Sequence, residues 1–252
     1  MIAKLAFVFP GQGSQSLGML AELSATAGSV RECFEEASTA CGVDLWTLSQ
    51  SGPEEKLNQT EFTQPALLAA DVAVWRAWAA AGGAQPALLA GHSLGEYAAL
   101  VAAGALSLGD AARLVRERGR LMQEAVPAGT GAMAAVLGAD DAMVAEVCAQ
   151  VSADDVVVPA NFNSPGQIVI GGHAAALERA LAELATRGVR KIVKLSVSVP
   201  SHTPLMHDAA DRLAEAMAGI SAAIPASNRV GAIKRFIRYL SPQYLALGST
   251  RA

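Results

Sequence analysis

Residues 91–95 read Gly91-His92-Ser93-Leu94-Gly95, the G-x-S-x-G of a nucleophile elbow. Such a turn between a strand and a helix is so sharp that the serine stands exposed at its tip. The two glycines let the backbone fold back without a clash. The start of the following helix offers N–H groups and a partial positive charge to a developing oxyanion. A glycine-rich turn with a bystander serine has the same spelling, so the pattern needs support. A serine nucleophile needs a base, and the chain has four histidines. His92 adjoins Ser93 and should point away from it. His173 opens a helix, and His207 lies in an Ala-rich helical stretch. His202, in the turn Val199-Pro200-Ser201-His202, is the best-placed base, although a histidine in a turn is by itself more often a bystander.

Two further features bear on the same chemistry. Gly11-Gln12-Gly13 follows a strand, but Ser16 stands where a dinucleotide fingerprint has its third glycine. Its better use is to bring the Gln12 backbone N–H towards the elbow as an oxyanion donor. Arg118 shares a helix with Arg113, Arg116 and Arg120 and precedes Gly119, which admits a close partner. One arginine of this helix facing the pocket would clamp a carboxylate bidentately; the alternative is a solvated basic face.

The elements that must position these residues are α/β in rhythm. Leu5 to Phe9 reads as a buried strand ending at Pro10. Helical spacing follows from Leu17 to about Ala40, and a second helix from Gln64 to Ala81 has Pro65 in its first turn. Ala87 to Ala90 is a short buried strand and Glu96 to Ala105 a helix of small residues. A further helix capped by Asp110 runs to about Glu124. Such alternation implies a parallel sheet. From residue 129 to 198 the order becomes β-α-β-β-α-β: Met133–Leu137, Asp141–Val151, Val156–Ala160, Gln167–Ile170, Ala174–Arg187 and Lys191–Val197. Residues 161–166 form the loop of the middle pair. That is a ferredoxin-like pattern. It implies a subdomain, 129–198, inserted in a larger α/β domain formed by 1–128 and 199–252.

Composition excludes several classes of function. The chain has 252 residues, 52% of them hydrophobic and 17% charged, too apolar for disorder. Its most apolar stretch, Trp75 to Gly109, is broken by glycines, Pro86 and Glu96, so no membrane span is expected. Leu5 to Phe9 is too short for a signal-peptide core. Three cysteines, Cys33, Cys41 and Cys148, cannot all pair and match no zinc spacing, so a reduced, cytoplasmic protein without a metal is expected. A net charge of −4 gives no general pull towards nucleic acid. The basic residues Arg229, Lys234, Arg235, Arg238 and Arg251, with no acid among them, make the last stretch the compositional exception. It reads as a nucleic-acid or membrane arm, a solvated segment, or a tail in a shifted frame.

Taken together, several motifs carry a resemblance. They are residues 9–15 (Phe-Pro-Gly-Gln-Gly-Ser-Gln), 63–67 (Thr-Gln-Pro-Ala-Leu) and 91–97 (Gly-His-Ser-Leu-Gly-Glu-Tyr). Arg118-Gly119 with Met122-Gln123, the run 131–135, residues 161–167 (Asn-Phe-Asn-Ser-Pro-Gly-Gln) and 198–202 (Ser-Val-Pro-Ser-His) complete the set. In this order and spacing, through about residue 225, the chain resembles the malonyl-CoA:acyl carrier protein transacylases of bacterial fatty-acid synthesis. The resemblance implies Ser93 as nucleophile, His202 as general base and then acid, and backbone N–H groups of Gln12 and Leu94 as the oxyanion hole. Arg118 is the implied partner of the malonyl carboxylate. It also implies a hydrolase-like fold with a ferredoxin-like insert, the site in the cleft between them, and acyl carrier protein and malonyl-CoA as partners. No cofactor is implied, and a monomer is expected. The family's C-terminal Asn-rich strand, Gln-bearing helix and Gly-Pro-Gly turn have no counterpart in residues 229–252. That tail is expected to pack poorly, and malonyl loading to be slow or absent in consequence.

Overall fold

The computed structural model describes residues 5–127, 129–195, 197, 199–218 and 220; the tail 229–252, with the expectations placed on it, lies outside them. The chain divides into two compact units. One runs to Arg120 and resumes at Glu215, and the other is Leu121–Ala214.

In the first unit, strand β1 (Ala6–Phe9) leads through a loop to helices α1 (Ala21–Thr26), α2 (Ser29–Cys41), α3 (Leu45–Ser51), α4 (Glu54–Leu57) and α5 (Thr60–Ala80). Strand β2 (Leu88–Gly91), helix α6 (Gly95–Ala102) and helix α7 (Leu108–Ala125), whose residues from Leu121 on belong to the second unit, follow. β1 and β2 pair in parallel, Phe9 opposite Gly91, as the α/β rhythm predicts, but neither is the buried strand expected, since Val8 and Leu88 are exposed in this two-stranded sheet. The single helix expected from Leu17 to Ala40 is two, interrupted at residues 27–28. α5 begins one turn earlier than expected, so Pro65 sits inside it rather than in its first turn. There the missing N–H leaves the Glu61 carbonyl without its helical donor. The cap of α7 also differs. Ser107 Oγ accepts from the Asp110 N–H (3.0 Å) and donates to the Asp110 carboxylate (2.6 Å). Ser107 is therefore the capping residue, and Asp110 reaches back to it.

α5 anchors this unit. Thr63 to Ala73 is buried all round, and mostly small side chains let neighbouring helices come close. One polar residue in that run lacks compensation. Asp71 is 8% exposed and its Oδ2 has no hydrogen-bond partner among the described residues. Burial pushes its carboxyl up to about 7. A carboxyl with a folded pKa above its unfolded value of 3.8 adds stability that is complete below about pH 4. That stability is lost as the pH rises through about 7, at a cost on the order of 4 kcal/mol. Asp71→Asn cannot ionise, so its stability relative to the parent should rise between pH 5 and pH 8. Urea unfolding of both proteins at the two pH values tests this, and an unchanged difference would show that Asp71 does not titrate in that window.

The second unit contains strand β3 (Gly131–Leu137), helix α8 (Asp141–Val151), the hairpin β4 (Val157–Ser164) and β5 (Gln167–His173), helix α9 (Ala174–Thr186) and strand β6 (Lys191–Lys194). The sheet order is β4-β5-β3-β6, with every pair antiparallel. This is the ferredoxin-like arrangement, and both helices cover one face through a core that includes Val136, Val144, Ile168, Ile170 and Leu177. Residues 161–164, expected as loop, are strand. The polar run Asn-Phe-Asn-Ser pairs with β5 through two register shifts, leaving only Pro165-Gly166 as the turn, with Gly166 at φ +73°. Beyond β6, a short 3-10 turn, Pro204–Met206, precedes α10 (His207–Met217).

All three cysteines are unpaired and buried, with Cys33 and Cys41 in α2 and Cys148 in α8. Burial raises each thiol, Cys148 to about 12. No described helix is long and apolar enough to cross a membrane.

Candidate active site

The elbow has the geometry that its spelling predicts. Ser93 has φ +53°, a left-handed conformation that few non-glycine residues adopt. The turn is closed by Gly95 N–H to His92 O (3.0 Å) and Glu96 N–H to Ser93 O (3.2 Å). His92 N–H donates to Phe9 O (3.0 Å), tying the elbow to β1. Both glycines are required by backbone, not by side chains. A Cβ on Gly91 would lie 2.0 Å from the Gly95 carbonyl carbon, and one on Gly95 2.2 Å from Phe9 O.

The loop after β1 crosses the elbow at contact distance, since a Cβ on Gly11 would stand 2.7 Å from His92 O. Its side chains are turned to other tasks. Gln12 Nε2 donates to Thr60 Oγ1 (3.3 Å), Gln15 Oε1 accepts from Gly13 N–H (2.8 Å), and Gln15 Nε2 donates to Asn58 Oδ1 (2.8 Å). The backbone N–H groups of Gln12 and Leu94 have no acceptor among the described residues.

The four arginines of α7 are not equivalent. Arg113 pairs with Asp110, Arg116 with Glu61 and Arg120 with Glu117. Arg118 forms no such pair among the described residues and donates instead to two neutral acceptors, Nη2 to Ser93 Oγ (3.1 Å) and Nη1 to Gln64 Oε1 (2.7 Å). Its guanidinium also stands 5.8 Å from the centre of the Tyr97 ring. Gly119 makes this possible, because a Cβ there would lie 2.5 Å from Thr60 O, so α7 meets the start of α5 backbone to backbone. Beside the cluster, burial raises the Glu96 carboxyl, opposed by the positive charge of Arg118. The Tyr97 hydroxyl is raised by burial as well.

His202 belongs to the second unit. It too has a left-handed backbone, φ +60°, in a turn held by Thr203 Oγ1 donating to Pro200 O (2.7 Å) and by Ser201 N–H to Val199 O (2.9 Å). Pro200 packs where a side chain on Gly131 would clash, and Val199 and Met206 join Met122 and Val126 in a small core. His173 has a structural task, its Nδ1 accepting the Val156 N–H (2.9 Å).

Of the residues singled out in the sequence, the structure thus brings Ser93 and Arg118 together. Gln64 was visible there only as one letter of the Thr-Gln-Pro-Ala-Leu motif. A glutamine among the small apolar residues of a buried helix was the available signal of its role.

A family model described as acyl transferase domain matches residues 6–236. The malonyl CoA-acyl carrier protein transacylase of Salmonella typhimurium is 57% identical over 224 residues, 89% of this chain and 72% of that protein. That of Bacillus subtilis is 45% identical over 86% of this chain and 68% of its own. Among solved structures, the malonyl-CoA:acyl carrier protein transacylase of Xanthomonas oryzae is 73% identical with a TM-score of 0.87, over 88% of this chain and 71% of that one. A malonyl-transacylase in complex with its type II PKS acyl-carrier protein is 53% identical with a TM-score of 0.86, over 88% and 72%. The chain belongs to the acyl transferase domain family, within its branch of malonyl-CoA:acyl carrier protein transacylases.

Proposed function

We propose that the chain moves a malonyl group from malonyl-CoA to the phosphopantetheine thiol of acyl carrier protein, in fatty-acid synthesis, through an ester on Ser93. One observation carries this reading. A serine on a strained elbow lies within hydrogen-bond distance of an arginine that no carboxylate pairs with among the described residues. That combination suits an acyl group ending in a carboxylate.

In the first half-reaction Ser93 Oγ attacks the thioester carbonyl and gives its proton to His202. The oxyanion takes hydrogen bonds from the Gln12 and Leu94 N–H groups, whose lack of acceptors among the described residues supports that role. The tetrahedral intermediate collapses, the C–S bond breaks, and the proton on His202 passes to the CoA thiolate. In the second half-reaction the carrier's thiol gives its proton to His202 and attacks the serine ester, and Ser93 recovers the proton as the ester breaks. Arg118 holds the malonyl carboxylate through both. CoA enters as part of the substrate, and the chemistry calls for no cofactor, no metal and no second subunit. We place the protein in the cytoplasm as a monomer with the inserted subdomain at 129–198.

Intact-mass measurement after incubation with malonyl-CoA, followed by addition of the holo carrier protein, tests the reading. The expected result is one malonyl adduct per chain that disappears as malonyl-carrier forms. Release of free malonate without transfer would identify a thioesterase. Absence of any adduct after prolonged incubation would leave a non-catalytic fold.

A further inference from the structure

The arrangement around Arg118 assigns a task to the residue that holds it. Gln64 is 1% exposed on α5, and its Oε1 accepts from Arg118 Nη1 at 2.7 Å, while Nη2 of the same guanidinium reaches Ser93 Oγ. A guanidinium on a long side chain has several rotamers, and an acyl carboxylate is bound bidentately only if the planar fork is already aimed. One end of the fork is therefore anchored, and the other faces the nucleophile.

The chemistry of the anchor matters as much as its position. A carboxylate at residue 64 would hold the fork more strongly but would neutralise it, as Glu61 does for Arg116. An amide holds it with a dipole and leaves the whole positive charge for the substrate. We propose that Gln64 is a positioning residue for acyl-group selectivity. It fixes Arg118 with a neutral acceptor and so favours acyl groups that end in a carboxylate over acetyl. The proposal rests on the reading of Arg118 as the seat of the malonyl carboxylate.

Two substitutions separate anchoring from neutrality. Gln64→Glu keeps an acceptor of the same length but places a negative charge on Arg118. Gln64→Met keeps the length and the free charge of Arg118 but removes the acceptor. Rates of Ser93 loading are measured with malonyl-CoA and with acetyl-CoA for both variants and for Arg118→Ala, with thermal unfolding as a check on folding. Gln64→Glu should raise KM for malonyl-CoA by roughly tenfold or more, with acetyl loading within about twofold of the parent. Gln64→Met should lower the malonyl-to-acetyl ratio by a smaller factor. A purely structural role would reduce both substrates alike. An unchanged ratio in either folded Gln64 variant, with Arg118→Ala losing malonyl loading but not acetyl loading, overturns the proposal alone. An unselective Arg118→Ala overturns the reading beneath it. The Glu variant keeps the hydrogen bond to Arg118, so the ratio can be read even if the Met variant does not fold.

Discussion

Ser93→Ala is expected to leave no malonyl adduct on the protein while keeping the native fold. Alanine has a Cβ but nothing beyond it. It therefore meets the same left-handed backbone demand as serine at φ +53° and leaves the Gly91 and Gly95 contacts untouched. What is lost is the hydroxyl that accepts from Arg118 and that the proposed mechanism makes the attacking atom. Nucleophile removal usually costs several orders of magnitude in turnover. Mass spectrometry under conditions that load the parent completely, with circular dichroism to confirm folding, measures both parts. An adduct of normal stoichiometry on the alanine variant would place the nucleophile at another residue.

Arg118→Ala is expected to separate two substrates that the parent treats differently. Removing one member of a buried ion pair costs about 3–5 kcal/mol, and the half-buried position of Arg118 points to the lower end. Malonyl loading should therefore fall by roughly a hundredfold. Acetyl has no carboxylate to lose. It should load at least as fast as before, because the Ser93 hydroxyl is relieved of the guanidinium that donates to it. Single-turnover loading from malonyl-CoA and acetyl-CoA gives the two rates directly. Equal losses would mean that Arg118 supports the elbow rather than the acyl group.

Much of this architecture was legible in the residues because its signals are local. The elbow is spelled by two glycines whose necessity is a matter of a few ångströms of backbone. The β-α-β-β-α-β order follows from the hydrophobic period of each element. Features decided between distant segments were not legible. Asn161 to Ser164 carries loop chemistry, yet the ladder with β5 and its bulges makes it strand. α5 starts at Thr60 with no side-chain cap to announce it, which moved Pro65 from the first turn into the helix. The site divides along the same line. Ser93 could be proposed from five consecutive residues. Arg118 was marked by the Gly119 beside it and by the resemblance, but the hold of Gln64 on it depends on α5 and α7 meeting there. No spacing within either helix records that meeting.

The three buried thiols give the molecule a built-in reporter. A thiol alkylating reagent needs the thiolate and needs access, and the native fold denies Cys33, Cys41 and Cys148 both. Covalent labelling therefore counts openings of the structure rather than its resting surface. Two of the thiols lie in the unit that holds Ser93 and one in the unit that holds His202. The order in which alkyl groups appear on peptides of the two units therefore shows which of them breathes first, with no probe to engineer. Loading of the serine can be followed in the same sample, because the chemistry proposed for it uses no cysteine.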